Sequence, residues 1–107
     1  MTRPIHTTDI DQMVRVLAHS PVREREVIAA DIIDRADIAD RFRKRLGKLH
    51  PTFGDGSFGQ SAIKLAGGIP KPVAHADDAY LDCLRITVAA LQEWRARFEP
   101  SHAIAAE

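Results

Sequence analysis

Between Pro21 and Gly47 no glycine or proline interrupts the chain. No other feature constrains the fold as tightly, because a breaker-free run of about 25 residues permits one long helix. Within it Ile28, Ile32, Ala39, Phe42, Leu46 and Leu49 recur in steps of three, four or seven, a seam near 3.5 residues. Val22, Ala29, Ile33 and Ala36 form a flanking stripe, so the helix is expected to bury more than one side. Its polar face sets Asp31 before Arg35, Asp37 before Arg41 and Asp40 before Lys44. An acid four residues ahead of a base is the favoured orientation for an ion pair, worth about 0.3–0.5 kcal/mol each. Gly47 suits a C-terminal cap, and Pro51 prevents the helix from resuming.

The remaining elements are shorter or more interrupted. Thr8 reads as the N-cap of a helix over about 9–18, with Asp9 in its first turn and Ile10, Met13, Val14 and Leu17 at helical spacing. Residues 1–7 are expected to form a loose arm. His19-Ser20-Pro21 breaks this helix, with Ser20 able to cap the next and Pro21 at its first position, giving a helix over about 21–46. After a turn-rich stretch over 50–56, Ser57 with Gln60 three residues on forms a capping box for a helix over about 57–66. Gly67-Gly68 ends it, and Ile69-Pro70-Lys71-Pro72 reads as a stiff, extended link. Asp77 or Asp78 opens a last helix over about 77–98, striped by Tyr80, Leu84, Val88, Leu91, Trp94 and Phe98. Residues 99–107 read as a frayed tail. No alternating apolar run is bounded by hairpin turns. The expected class is therefore all-α without a sheet: one domain over 8–98, in which the two long helices pair as an antiparallel helical hairpin covered by two shorter helices.

Composition bounds the function. A chain of 107 residues holds one domain with a modest core, so assembly with further copies is a natural way to cover leftover apolar surface. Lys plus Arg number 15 and Asp plus Glu number 15, so electrostatic attraction to a partner has to be local. The single cysteine, Cys83, excludes a disulfide framework within one chain and fits a reducing compartment. The N-terminus lacks the apolar segment of a secretion signal, and no apolar run approaches the roughly 18 residues of a membrane span. These features predict a soluble, cytoplasmic protein.

The sharpest local feature is a basic run at the end of the long helix: Arg41, Arg43, Lys44, Arg45 and Lys48, with no acid from 41 to 50. Five cations in eight residues can neutralise several phosphates without reading a sequence. They equally complement the helix dipole as a solvated end. Gly54-Asp55-Gly56-Ser57-Phe58-Gly59 matches the G-x-G-x-x-G string, but no strand precedes it. A glycine turn leading into a helix cap is favoured over a phosphate held on the helix amides. His50, Asp55 and Ser57 crowd one loop without a nucleophile elbow. No two histidines stand four residues apart, so no metal site is expected. Cys83 has the setting of an inert thiol. Ile28, Ile32, Ile33, Phe42, Leu91, Trp94 and Phe98 are the candidates for contacts between copies. No catalytic constellation, cofactor motif or metal centre emerges, and the chain reads as a binding protein and not an enzyme.

The segment ADIADRFRKRLGKLHPTFGDGS, residues 36–57, carries a resemblance. Its pattern is A-D-x-A-D, an aromatic, a basic cluster, a glycine, then H-P-x-aromatic-G-D-G. Here these are Ala36, Asp37, Ala39, Asp40, Phe42, Arg43 to Arg45, Gly47, His50, Pro51, Phe53, Gly54, Asp55 and Gly56. It resembles short alphaproteobacterial proteins encoded beside the large terminase subunit of gene transfer agents, which are themselves similar to phage small terminase subunits. The resemblance implies a DNA-packaging adaptor. Such a protein forms a homo-oligomer, expected as a ring, engages double-stranded DNA, and recruits or stimulates the large terminase ATPase and nuclease. Two departures stand out: too little chain precedes the long helix for a helix-turn-helix domain, and no strands follow the last helix to build a barrel. Both imply DNA binding without strong sequence specificity. The alternative is a helical structural or regulatory protein, dimeric, with a protein partner and no DNA.

Overall fold

A computed structural model describes residues 4–74 and 77–98. Four α-helices are present among these residues: α1 (Thr7–Ala18), α2 (Arg25–Leu46), α3 (Phe58–Ala66) and α4 (Asp78–Phe98), with a 3-10 turn at Val22–Glu24 ahead of α2. No strand occurs among the described residues, where the one β-bridge joins His50 to Gly54. The all-α class with a long helix and shorter companions is therefore established.

Local chemistry sets the helix ends. α1 starts two residues earlier than Thr8 suggests, because His6 is its N-cap. The His6 N–H donates to Asp9 Oδ2 at 2.9 Å in a reciprocal capping box. Ile5 packs on the core, so residues 5 and 6 of the expected arm are held in place. Ser20 does not cap the long helix: its hydroxyl donates back to the Val16 carbonyl at 2.7 Å, and Pro21, at ψ 139°, leads into the 3-10 turn. Gly47 ends α2 in the left-handed region at φ 71°, its N–H bonded to the Arg43 carbonyl. Ser57 caps α3 by accepting the Gln60 N–H at 3.2 Å, and Gly67 closes that helix at φ 79°. The expected tail, 99–107, lies outside the described residues.

Neither α1 nor α3 is long enough to persist alone in water, so both depend on packing. α1 is the hub: it buries Met13, Val14, Val16 and Leu17 and packs more extensively on α3 and α4 than on α2. One core cluster joins Met13 and Val16 to Ile32, Ile33, Ala36, Phe58, Ala62, Leu91 and Trp94; the other joins Val14 and Leu17 to Ala29, Cys83 and Ile86. Fully burying a side chain such as Met13, Leu17, Ile32 or Phe58 contributes about 1.5–3 kcal/mol.

The two long helices do lie side by side, but the antiparallel sense expected for them is corrected. Arg25 on α2 bonds Asp82 on α4 at 3.1 Å, and Trp94 on α4 bonds Asp37 on α2 at 3.0 Å. Both pairs are separated by 57 residues. A constant difference in residue number marks a parallel pair, whereas an antiparallel pair would keep a constant sum. The reason is topological. α3 and its loops occupy the connection, and helix direction alternates from one element to the next, so α2 and α4 point the same way. Ser61 Oγ to the Ile32 carbonyl (2.7 Å) and the Gly59 N–H to Asp9 Oδ1 (3.0 Å) fix α3 across α1 and α2.

Candidate nucleic-acid interface

The basic run sits where α2 leaves the core. Arg41, Arg43, Lys44, Arg45 and Lys48 are all exposed, so each head group reaches solvent. Their pairing differs from the expectation. Lys44 does bond Asp40 at 2.9 Å and Arg35 bonds Asp31 at 3.1 Å. Asp37, however, accepts the Trp94 indole N–H at 3.0 and 3.2 Å. Arg41 is thereby left without an ion pair among the described residues, as are Arg45 and Lys48. At 3.6 residues per turn Arg41 and Arg45 share one side of α2, while Arg43 lies roughly 160–200° away from them. Arg43 is on the side of the 50–57 loop, where its charge acts on Asp55. The five residues are thus not one patch: three are open, Lys44 is tethered, and Arg43 faces the loop.

Parallel packing adds cations that the sequence reading missed. Carrying the offset of 57 along α4 sets Arg95 level with Ile38 and Arg97 level with Asp40. Both arginines are exposed. An antiparallel hairpin would have placed them at the far end. The C-termini of α2 and α4 instead share one pole of the molecule, where two negative dipole ends and a concentration of Lys and Arg coincide.

The glycine-rich loop behind this pole is a structural clasp. His50 Nδ1 accepts the Thr52 and Phe53 N–H groups, each at 3.0 Å, which places the imidazole proton on Nε2. Its ring stacks on Phe53 at 4.6 Å and meets Phe42 edge-on at 4.9 Å, and the Arg35 guanidinium lies 5.0 Å from the Phe53 centroid. Gly54 and Gly56 take φ of 92° and 97°, a region that disfavours side chains. A β-carbon on Gly56 would lie 2.9 Å from Asp40 Cα, so α2 and the loop touch backbone to backbone there. Asp55 Oδ1 accepts both the Ser57 N–H (2.9 Å) and the Ser57 hydroxyl (2.8 Å). Burial pushes the Asp55 carboxyl up, but these two bonds and Arg43 outweigh it and hold it below the usual carboxylate range.

These contacts settle the loop's other readings. The Gly59 and Gln60 amides at the start of α3 are taken by Asp9 and by Ser57 Oγ, so the turn-and-cap reading of the glycine string holds. The Ser57 hydroxyl goes to Asp55, and His50 is occupied by its own loop, so the three do not form a relay. A cleft of about 370 Å³ between loop and pole is lined by His6, Asp9, Asp40, Arg43, Lys44 and Asp55 among others. No cluster of three His, Cys, Asp or Glu suited to a metal occurs among the described residues. Cys83 is fully buried, and burial pushes its thiol up, away from the reactive thiolate.

The candidates for contacts between copies are mostly used inside one chain. Ile32 (0% exposed), Ile33 (1%), Leu91 (4%) and Trp94 (4%) are core residues. Ile28 packs against both core clusters, and Phe42 is half-buried against His50. These six offer little to a second copy, because α1 fills the seam that the two long helices would otherwise have shown outward. The side chain of Phe98 lies outside the described residues.

A family model described as Domain of unknown function (DUF7742) matches residues 3–91, which hold α1 to α3 and most of α4. The chain belongs to that family. No curated protein and no solved structure matches it. For this family member, no helix among the described residues is long and apolar enough to cross a membrane.

Proposed function

We propose that this protein is a non-catalytic adaptor for DNA packaging, similar to a small terminase subunit, that captures double-stranded DNA through its basic pole and brings it to a large terminase subunit. The observation that carries this reading is the open trio Arg41, Arg45 and Lys48 at the end of α2, with Arg95 exposed towards the same end of α4. Four cations that pair with no acid among the described residues are available to phosphates. The aromatic rings nearby favour duplex over single strand. Phe42 and Phe53 are engaged with His50, and Trp94 and Phe58 are buried, so they offer no open platform on which unpaired bases could stack. Contacts of this kind bind the backbone and carry no sequence information.

The test is fluorescence anisotropy with a short labelled duplex at several salt concentrations. Binding through about four phosphates gives a slope of log affinity on log salt near −3 to −4. Arg41→Glu/Arg45→Glu/Lys48→Glu, all at exposed positions, is expected to abolish binding while circular dichroism stays unchanged. A wild-type protein that ignores duplex DNA at low salt, or a triple variant that binds as well as wild type, sinks the reading.

A second reading, a helical regulatory protein with a protein partner and no DNA, draws on the burial of Ile32, Ile33, Leu91 and Trp94 inside one chain. That burial removes the apolar seam from which a ring of hairpins would be built. This reading predicts a small assembly with no affinity for DNA.

A further inference from the structure

The parallel pair α2 and α4 leaves a groove on its outer side, about 280 Å³ in volume, lined by Glu26, Ala30, Arg85, Ile86, Ala89 and Glu93 among others. Ile86 and Ala90 form its floor, and Ala30 and Ala89 are exposed on its walls. Short walls allow another helix to approach near the 8 Å lower limit of helix packing.

The charges along the groove indicate which helix fits. Arg85 and Glu93 lie four residues before and four residues after Ala89, on one face of α4. Arg85 donates to Asp82 at 2.8 Å and keeps most of its guanidinium in solvent. Glu93 is exposed and makes no hydrogen bond or ion pair among the described residues. About a two-fold axis through Ala89, each residue before the axis faces the residue equally far after it on an antiparallel copy. Arg85 then faces Glu93 of the second copy, and Glu93 faces Arg85. The pattern is its own complement, which a foreign helix has no reason to match.

We infer that the chain forms a two-fold homodimer in which α4 of each copy lies antiparallel along the α2–α4 groove of the other, with Ala89 at the axis and an Arg85–Glu93 ion pair on either side. Such an isologous contact closes at two copies. It needs none of Ile32, Ile33, Leu91 or Trp94 and leaves the basic pole open, so it stands independently of the DNA reading.

Light scattering on the full chain at micromolar concentration should give twice the mass of one chain. Glu93→Arg sets two guanidinium groups against each other at both ends and should weaken the dimer at least tenfold. Adding Arg85→Glu to that variant reverses both charges together and should restore the dimer, which a merely damaged surface would not do. Circular dichroism checks that each variant is folded. A monomeric wild type, a larger ring, a dimer indifferent to Glu93→Arg, or a double variant that stays dissociated each overturns the two-fold contact. A monomer that still binds duplex DNA would overturn the dimer alone and leave the packaging reading standing.

Discussion

Single residues in the clasp behind α2 decide whether the pole is held in shape. Gly47 and Gly56 both take positive φ, but only Gly56 faces a neighbour, with Asp40 Cα 2.9 Å from its notional β-carbon. Gly47→Ala should cost about 1–2 kcal/mol for the left-handed backbone alone. Gly56→Ala should cost clearly more, since backbone must also shift, and urea denaturation of the two variants side by side measures the difference. Asp55 gives the fold a pH dependence. Its folded pKa is depressed relative to an unfolded aspartate near 3.9, so its stabilisation is present above about pH 4 and lost as pH falls through the folded value. Asp55→Asn should therefore flatten the fall in urea midpoint between about pH 4 and pH 2. Asp82 adds to the same acid limb, because the hydrogen bond from Arg85, helped by Arg25, lowers its carboxyl, so the variant reduces the dependence without abolishing it. The H-P-x-F-G-D-G string was legible as a turn from its glycines and proline. That His50 would serve as an acceptor for two amides was not, since the same residue is compatible with a ligand, an acid or a stacking ring.

Among the elements, helix existence was legible throughout and helix orientation was not. Breakers and caps are local, so Gly47, Ser57 and Gly67 marked their helix ends in the sequence as they do in the fold. Periodicity was less exact. Val22, assigned to a buried stripe, is 71% exposed, because the chain enters α2 through a 3-10 turn that rotates it off the core side. On α4 the fully buried positions are Cys83 and Thr87, each adjacent in sequence to a residue of the expected stripe, because α1 and α2 contact the helix from two sides. Arg25 shows what tertiary contact adds. It is buried, donates to the Leu17 carbonyl at the end of α1 at 3.1 Å, and pairs with Asp82 on α4, tying three elements at one pole. Arg25→Ala should cost about 2 kcal/mol, below the 3–5 kcal/mol of a fully buried pair because Asp82 remains partly solvated. Replacing only the charge, as in Arg25→Met, should recover part of the loss, read as a higher thermal midpoint than the alanine variant.

At the scale of the whole molecule, a chain of zero formal charge gathers part of its positive charge at one end by helix direction. Parallel α2 and α4 gather Arg41, Arg45, Lys48, Arg95 and Arg97 at one pole and Glu24, Glu26, Asp77 and Asp78 at the other. If DNA uses the whole pole, Arg95→Gln should shallow the salt slope by about one, as Arg41→Gln should. An unchanged slope for Arg95→Gln would confine the contact to α2. The sequence by itself determined the helices, their caps, the turn at the glycine loop and the basic run, since each depends on neighbours within a few residues. Only the tertiary structure decided which apolar seam is spent on the core, which acids neutralise which bases, and which helix ends share a pole. Those outcomes depend on pairings between residues 57 positions apart, such as Trp94 with Asp37, and on α1 filling the seam between the long helices, neither of which leaves a mark in local spacing.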